Sequence, residues 1–176
     1  QEHSSAASDV YKRQGKTELY GQTFHCWKEK GHGFVSLKNA MKQSCDTYFY
    51  EISRLLGVDR LNVTAKKFGL GEKVLGEYFD NEKRGLFPNT TWKKNNLGRG
   101  WVLGETLITG IGQGYTQTTP LQLCLMTAQI ANGGYKIKPK IIVNDDPLSL
   151  EEAKNSMKLQ SLQKPNTRLF LSLIHI

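Results

Sequence analysis

No stretch of this sequence stays apolar long enough to cross a bilayer. The most apolar run, "LFLSLIHI" at 169–176, is far short of the roughly 20 residues a spanning helix needs. The charged start, apolar middle and small-residue cleavage site of a signal peptide are also missing. Cysteine is scarce: Cys26, Cys45 and Cys124 are too few for a disulfide scaffold and odd in number, so they leave the redox compartment open. Acidic residues are outnumbered, 16 against 24 Lys and Arg, and the formal charge of +8 favours anionic partners. The basic residues are nevertheless scattered in pairs (Lys66-Lys67, Lys83-Arg84, Lys93-Lys94), with no basic stripe and no recognisable nucleic-acid module. Nucleic-acid binding is therefore not expected, and an ordinary solvated surface is. No internal repeat and no linker composition divides the chain. With 38 % hydrophobic and 10 % aromatic residues, its 176 residues suffice for one domain with a core.

The two ends read differently from the rest. "QEHSSAASDVYKRQ" at 1–14 and "LSLIHI" within 170–176 resemble translated adapter or assembly read-through. They are expected to be artefactual or disordered ends and are set aside as a fusion scar would be, leaving 15–169 as the folded part.

Between them the helix signals are clear. Ser36 is a good N-cap for a short helix in which Leu37, Ala40 and Met41 recur at helical spacing, placing Ser44 at or just past its end. Asp46 can cap a second helix, "TYFYEISRLLG", with Phe49, Ile52 and Leu56 on one apolar face and Gly57 as its stop. Asp59 begins a third, with Leu61, Ala65 and Phe68 inward and Gly69 at its exit. From Gly69 to Gly114 the glycines, Pro88, Trp92 and Trp101 imply loops and short strands packed around the two tryptophans. "TQTTPLQLCLMTAQIANGG" then has a Thr cap, Pro120 at the first helical position, a Leu121/Leu125/Ala128 face and a Gly133-Gly134 exit, with Cys124 as a small core residue. "YKIKPKIIV" alternates like an edge strand broken by Pro139, and "SLEEAKNSMK" opens with the Ser149/Glu152 capping box of a surface helix.

Three groups of residues carry possible chemistry. In "SCDTYFY" at 44–50, Ser44 is nucleophilic only if the fold brings a base beside it; otherwise Ser44 and Asp46 are ordinary helix-boundary residues. Cys26, His32 and Cys45 are zinc-preferred donors, and the Gly-bearing loop "CWKEKGHG" can fold over the helix end that holds Cys45. The spacing is not a standard zinc-finger pattern and a closed site needs four ligands, so a Cys26–Cys45 disulfide and two inert thiols stand beside metal binding. His25 is a spare ligand. "GIGQGYTQTTP" at 110–120 lacks the Lys-Ser/Thr of a phosphate loop and does not match G-x-G-x-x-G. Asn62 and Asn89 match the glycosylation pattern, a short motif that recurs by chance.

Taken in order, "GHGFVSLKNAMKQSCDTYFYEISRLLGVDRL", "GLFPNTTWK" and "GETLITGIGQGYTQTTPLQLCLMTAQIANGGYKIKPKI" resemble the transpeptidase domain of the penicillin-binding protein 2 family, class B peptidoglycan D,D-transpeptidases of rod elongation. The resemblance implies an α+β fold of the penicillin-binding, serine β-lactamase-like kind, of which this fragment supplies mainly the helical part. Family members acylate a serine in an S-x-x-K motif with a stem peptide, expel D-alanine and pass the acyl group to an amine of a neighbouring strand. β-Lactams trap the same serine. Only the second family motif, S-x-D, is present, as Ser44-Cys45-Asp46. The S-x-x-K motif should precede it and the upstream sequence contains none, and no K-T-G is found; "GKTELYG" at 15–21 has Glu18 where K-T-G has glycine and reads as an unrelated strand or loop. The resemblance therefore makes Ser44 a proton-shuttling helper, with Asp46 its polar partner, and the fragment inactive alone.

It also implies a structural zinc in the intact protein at Cys26, His32 and Cys45, with a fourth ligand about fifteen residues before Cys26, and no cofactor for the chemistry itself. The partners it implies are peptidoglycan stem peptides, β-lactams and a membrane glycosyltransferase. The location it implies is the periplasmic face of the bacterial inner membrane, with an upstream anchor. A different class of protein stays open: a small zinc-stabilised binding module for an anionic partner. Strands missing from the fragment would leave apolar faces uncovered, so marginal stability or aggregation is expected.

Overall fold

A computed structural model of the chain describes residues 11–75 and 79–139. Its elements run β1 (Tyr11–Arg13), β2 (Lys16–Leu19), β3 (Gln22–His25), β4 (Gly33–Val35), α1 (Leu37–Lys42), α2 (Asp46–Leu56), α3 (Val58–Lys67), α4 (Thr90–Leu97), α5 (Leu103–Gly110) and α6 (Pro120–Ala131). The chain forms two compact units. Among the described residues, one holds 11–62 with 88–116 and the other 63–75 and 79–87 with 117–139.

The first unit has two small antiparallel ladders. β1 pairs with β4 (Lys12 opposite Phe34) and β2 with β3 (Thr17 opposite Phe24). "GKTELYG" thus forms a hairpin strand with Tyr20 and Gly21 at the turn, both at positive φ (48° and 76°). Residues 11–14, set aside with the amino-terminal end on composition, are tied in here: Arg13 O accepts from His32 N (3.1 Å) and Gln14 O from the Thr47 hydroxyl (3.2 Å).

α1 starts where Ser36 indicates, its hydroxyl accepting from Asn39 N. It ends in a Schellman arrangement, with Cys45 N donating to Ala40 O (2.9 Å) and Ser44 N to Met41 O (3.2 Å). α2 departs from expectation in two ways. Its N-cap is Cys45 and not Asp46, which is the first helical residue. Its buried residues are Thr47, Tyr48, Tyr50 and Ser53, while Phe49 and Ile52 are half-buried and Leu56 is exposed. The face shifts because α2 is covered on two sides. The cluster Cys26, Val35, Ala40, Cys45 and Tyr48 lies at its start, and α5 packs along its length. That packing requires Gly110, where an added Cβ would fall 1.7 Å from Ser53 Oγ.

The stretch expected to be loops and short strands contains α4 and α5. Asn89 caps α4, its side chain accepting from Trp92 N (2.7 Å), and Gly98 ends it in a left-handed conformation. At the start of α5, Glu105 accepts from Val102 N (2.9 Å). It also takes both bonds from the buried Lys93 of α4 (2.5 and 2.7 Å). The glycines of this region terminate and separate helices here. Asn62, one of the glycosylation matches, is buried and hydrogen-bonded to Pro88 O and Asn89.

In the second unit, α6 has its Thr119 cap, the reciprocal Gln122 bond and Pro120 at its start. Its buried line is Gln122, Leu125 and Gln129, with Leu121 and Ala128 half-buried. Cys124, expected in the core, is exposed. The two amides are inside because they close loops: Gln122 Nε2 donates to Glu72 O and Arg84 O (both 2.7 Å), and Gln129 Nε2 donates to Phe68 O (3.1 Å). Leu86 and Gln117 form an isolated antiparallel bridge. Residues 136–139 of "YKIKPKIIV" form no strand; its remainder, "SLEEAKNSMK" and the carboxy-terminal end lie outside the described residues.

Candidate functional site

The junction of α1 and α2 is where the sequence concentrated its chemistry. A helix that ends in a Schellman motif needs a left-handed residue after its cap, a position usually held by glycine because a Cβ is strained there. Here it is Ser44, at φ 50°. The side chain is exposed at the edge of an open groove of about 570 Å³, whose lining includes Trp27, Lys42 and Gln43. No hydrogen bond from the Ser44 hydroxyl to a described residue is formed, so no base among the described residues activates it.

Asp46 is half-buried and already engaged. Its Oδ2 accepts from Trp27 N (3.1 Å), latching the loop after β3 to the start of α2. Within the first helical turn its negative charge is also favoured by the helix dipole. Nearby, burial and then the charges of Asp46 and Cys26 push the Tyr50 phenol above its ordinary value, so it stays neutral and donates to His25 O (3.2 Å).

Cys45, between the two motif residues, is fully buried (0 % exposed). The loop of residues 26–32 folds onto it as the glycines of "CWKEKGHG" allow. Gly31, at φ 74°, sits where a Cβ would lie 2.3 Å from Arg13 O. Cys26, His32 and Cys45 come together as a result, their donor atoms all within 4.8 Å of one another. A tetrahedral zinc with sulfur at about 2.3 Å and nitrogen at about 2.0 Å sets its ligand atoms roughly 3.5–3.8 Å apart. The Cys26 Sγ to His32 Nδ1 separation is 3.6 Å. The second His32 nitrogen, Nε2, is buried with no hydrogen-bond partner among the described residues. Two thiols and one imidazole, three donors at such spacing, fit a zinc ion with a fourth vertex left to another ligand. No disulfide joins Cys26 and Cys45.

One residue had no signal in the sequence. Trp27 is 66 % exposed, yet its indole N–H reaches two main-chain oxygens, Gln43 O (3.1 Å) and Ser44 O (2.9 Å). Its ring also meets His32 edge-on, with centroids 5.3 Å apart. An exposed tryptophan between a cysteine and a lysine has no periodicity to reveal such a partner.

Comparison with known proteins shows the family of the chain. The family model "Penicillin binding protein transpeptidase domain" matches residues 1–169. The chain is 41 % identical over 119 residues to the peptidoglycan D,D-transpeptidase MrdA of Acinetobacter baumannii, covering 68 % of the chain and 18 % of that protein. It is 34 % identical over 142 residues to MrdA of Haemophilus influenzae, covering 81 % and 22 %. It therefore spans about a fifth of the length of these curated relatives. Among solved structures, Pseudomonas aeruginosa PBP2 in complex with WCK 5153 superposes with a TM-score of 0.72 at 42 % identity, over 76 % of this chain and 29 % of that one. The Helicobacter pylori complex of PBP2 with MreC gives 0.74 at 34 % identity, over 89 % and 29 %. With residues 1–169 matching the family model and its fold matching that of solved relatives, the chain belongs to the penicillin-binding protein transpeptidase domain family.

Proposed function

We propose that this chain is the S-x-D-bearing part of a peptidoglycan D,D-transpeptidase that cross-links stem peptides during rod elongation. The observation that carries the reading is Ser44, held left-handed at a glycine position with its side chain at an open groove. Strain kept at a polar residue is a mark of a working site. Ser44 relays protons and holds substrate for an acylated serine supplied by an S-x-x-K motif, and Asp46 keeps the junction in register through Trp27 N. The segment alone is inactive, because no S-x-x-K precedes Ser44 in it, where the family's order of motifs puts the nucleophile. Cys26, His32 and Cys45 hold a structural zinc that supplies rigidity and no chemistry of its own. Cys26 and His32 stand at the two ends of the β3–β4 loop and Cys45 at the start of α2, so the ion would tie that loop to the motif.

The partners in this reading are stem peptides, β-lactams, a membrane glycosyltransferase and, by analogy with the Helicobacter pylori complex, an MreC-like protein. The enzyme acts at the periplasmic face of the inner membrane from an upstream anchor. No helix of the described residues is long and apolar enough to be that anchor.

Fluorescent penicillin tests the reading on this chain and on a protein extended through S-x-x-K and K-T-G. Labelling of the extended protein alone is expected. Absence of labelling in both refutes the enzyme and leaves the zinc-stabilised binding module. Metal content of the extended protein and its Cys45→Ser variant tests the ion, and equal zinc in both removes it.

A further inference from the structure

We propose that Trp27 is a positioning residue for Ser44, a role that rests on reading Ser44 as the motif serine. A left-handed, non-glycine residue persists only if its surroundings over-determine it. The Schellman bonds fix Ser44 N and Cys45 N, but they leave the last carbonyls of α1 unpartnered within the helix. The Trp27 indole N–H closes that end by bonding both Gln43 O and Ser44 O. The Trp27 main chain is held in turn by Asp46 Oδ2. One residue thus bridges the peptide units on either side of Ser44 and the carboxylate of its own motif. Because the ring stands edge-on to His32, the indole also couples the Cys26–His32 loop to the serine. Removing the N–H frees the 43–44 peptide to rotate and lets the Ser44 side chain leave the geometry in which it meets substrate.

This is tested in the extended transpeptidase. Two replacements remove the donor: Trp27→Phe, and the benzothiophene isostere of the indole, which keeps ring size and packing and loses only the N–H. Acylation by fluorescent penicillin is measured for each, alone and with Ser44→Ala, together with zinc content and melting temperature. Loss of one hydrogen bond that orients a reacting group is worth about tenfold in rate. A fall of about that size in the acylation rate constant, equal for both replacements and absent in the Ser44→Ala background, supports the proposal. Zinc content and melting should stay constant in the isostere. Losses that add fully to those of Ser44→Ala, or an isostere that acylates normally, overturn it. Full acylation by Ser44→Ala alone overturns the reading of the motif itself, and the positioning role with it.

Discussion

Replacing Ser44 by glycine should make the protein more stable while sharply lowering penicillin labelling of the extended enzyme. Ser44 sits at φ 50°, where a residue with a Cβ pays about 1–2 kcal/mol. Glycine does not, but it loses roughly 0.5–1 kcal/mol through the greater freedom of its unfolded chain. The side chain is exposed and its hydroxyl makes no hydrogen bond to a described residue, so little else is given up. The net expectation is a gain of about 0.5–1 kcal/mol for Ser44→Gly, and none for Ser44→Ala, which keeps the Cβ. Urea denaturation of the two variants beside the parent measures this, with unchanged m-values as the check that the folded state is the same. A Ser44→Gly protein no more stable than Ser44→Ala would refute the reasoning, since the strain would then not exist. Tyr20 supplies the control. It is left-handed (φ 48°), 86 % exposed and followed by Gly21 in the β2–β3 turn. Tyr20→Asn, which restores the favoured Asn-Gly turn, should stabilise by a similar amount. In the extended enzyme Tyr20→Asn should leave penicillin labelling untouched, and Ser44→Gly should reduce it sharply.

Three further outcomes are expected. Gln122→Leu leaves the carbonyls of Glu72 and Arg84 without their buried donor, so it should cost roughly 2–5 kcal/mol and speed amide exchange in residues 72–86. Lys93→Met strands the Glu105 carboxylate and should cost roughly 2–4 kcal/mol, part of which Lys93→Met with Glu105→Leu should recover; a more damaging double variant would contradict the buried-pair account. Burial would raise the Glu72 carboxyl, but hydrogen bonds from Arg84 (2.7 Å) and Lys66 (3.3 Å) outweigh it and hold the group below the ordinary carboxylate range. A depressed carboxylate stabilises the fold above its unfolded value, and that stabilisation is lost as pH falls through the folded one. Glu72→Gln should therefore cost about 0.5–1 kcal/mol at neutral pH, a modest figure because the pair is partly solvated. The gap should close in acid, and a cost that persists there would assign it to packing.

Much of this protein follows from local chemistry that a linear reading can see. Ser36, Thr119 with Pro120, and Gly57 mark helix ends because caps and stops act within a few residues, and α1, α2 and α6 lie where those signals put them. The gathering of Cys26, His32 and Cys45 was foreshadowed by donor types around a glycine-bearing loop, and the ordered family segments pointed to the transpeptidase domain. Other features depend on what lies across the fold. Glycines at 98, 100, 104 and 110 read as loop, yet Gly98 ends α4 and Gly110 admits Ser53 of α2. Gln122 and Gln129 lie outside the expected Leu121/Leu125/Ala128 face and are buried, because main-chain oxygens far away in sequence need their donors. Asp46 reads as a helix cap, but the donor that reaches its carboxylate comes from nineteen residues upstream. Trp27 had no local signal, since its partners are backbone atoms brought near only when the loop closes on the end of α1. Residue types and spacing thus determined α1, α2 and α6 and the chemistry on offer, and the resemblance of the ordered segments pointed to the family. Long-range packing determined which polar groups are buried, what each one holds, and why Ser44 stands in a conformation its own sequence disfavours.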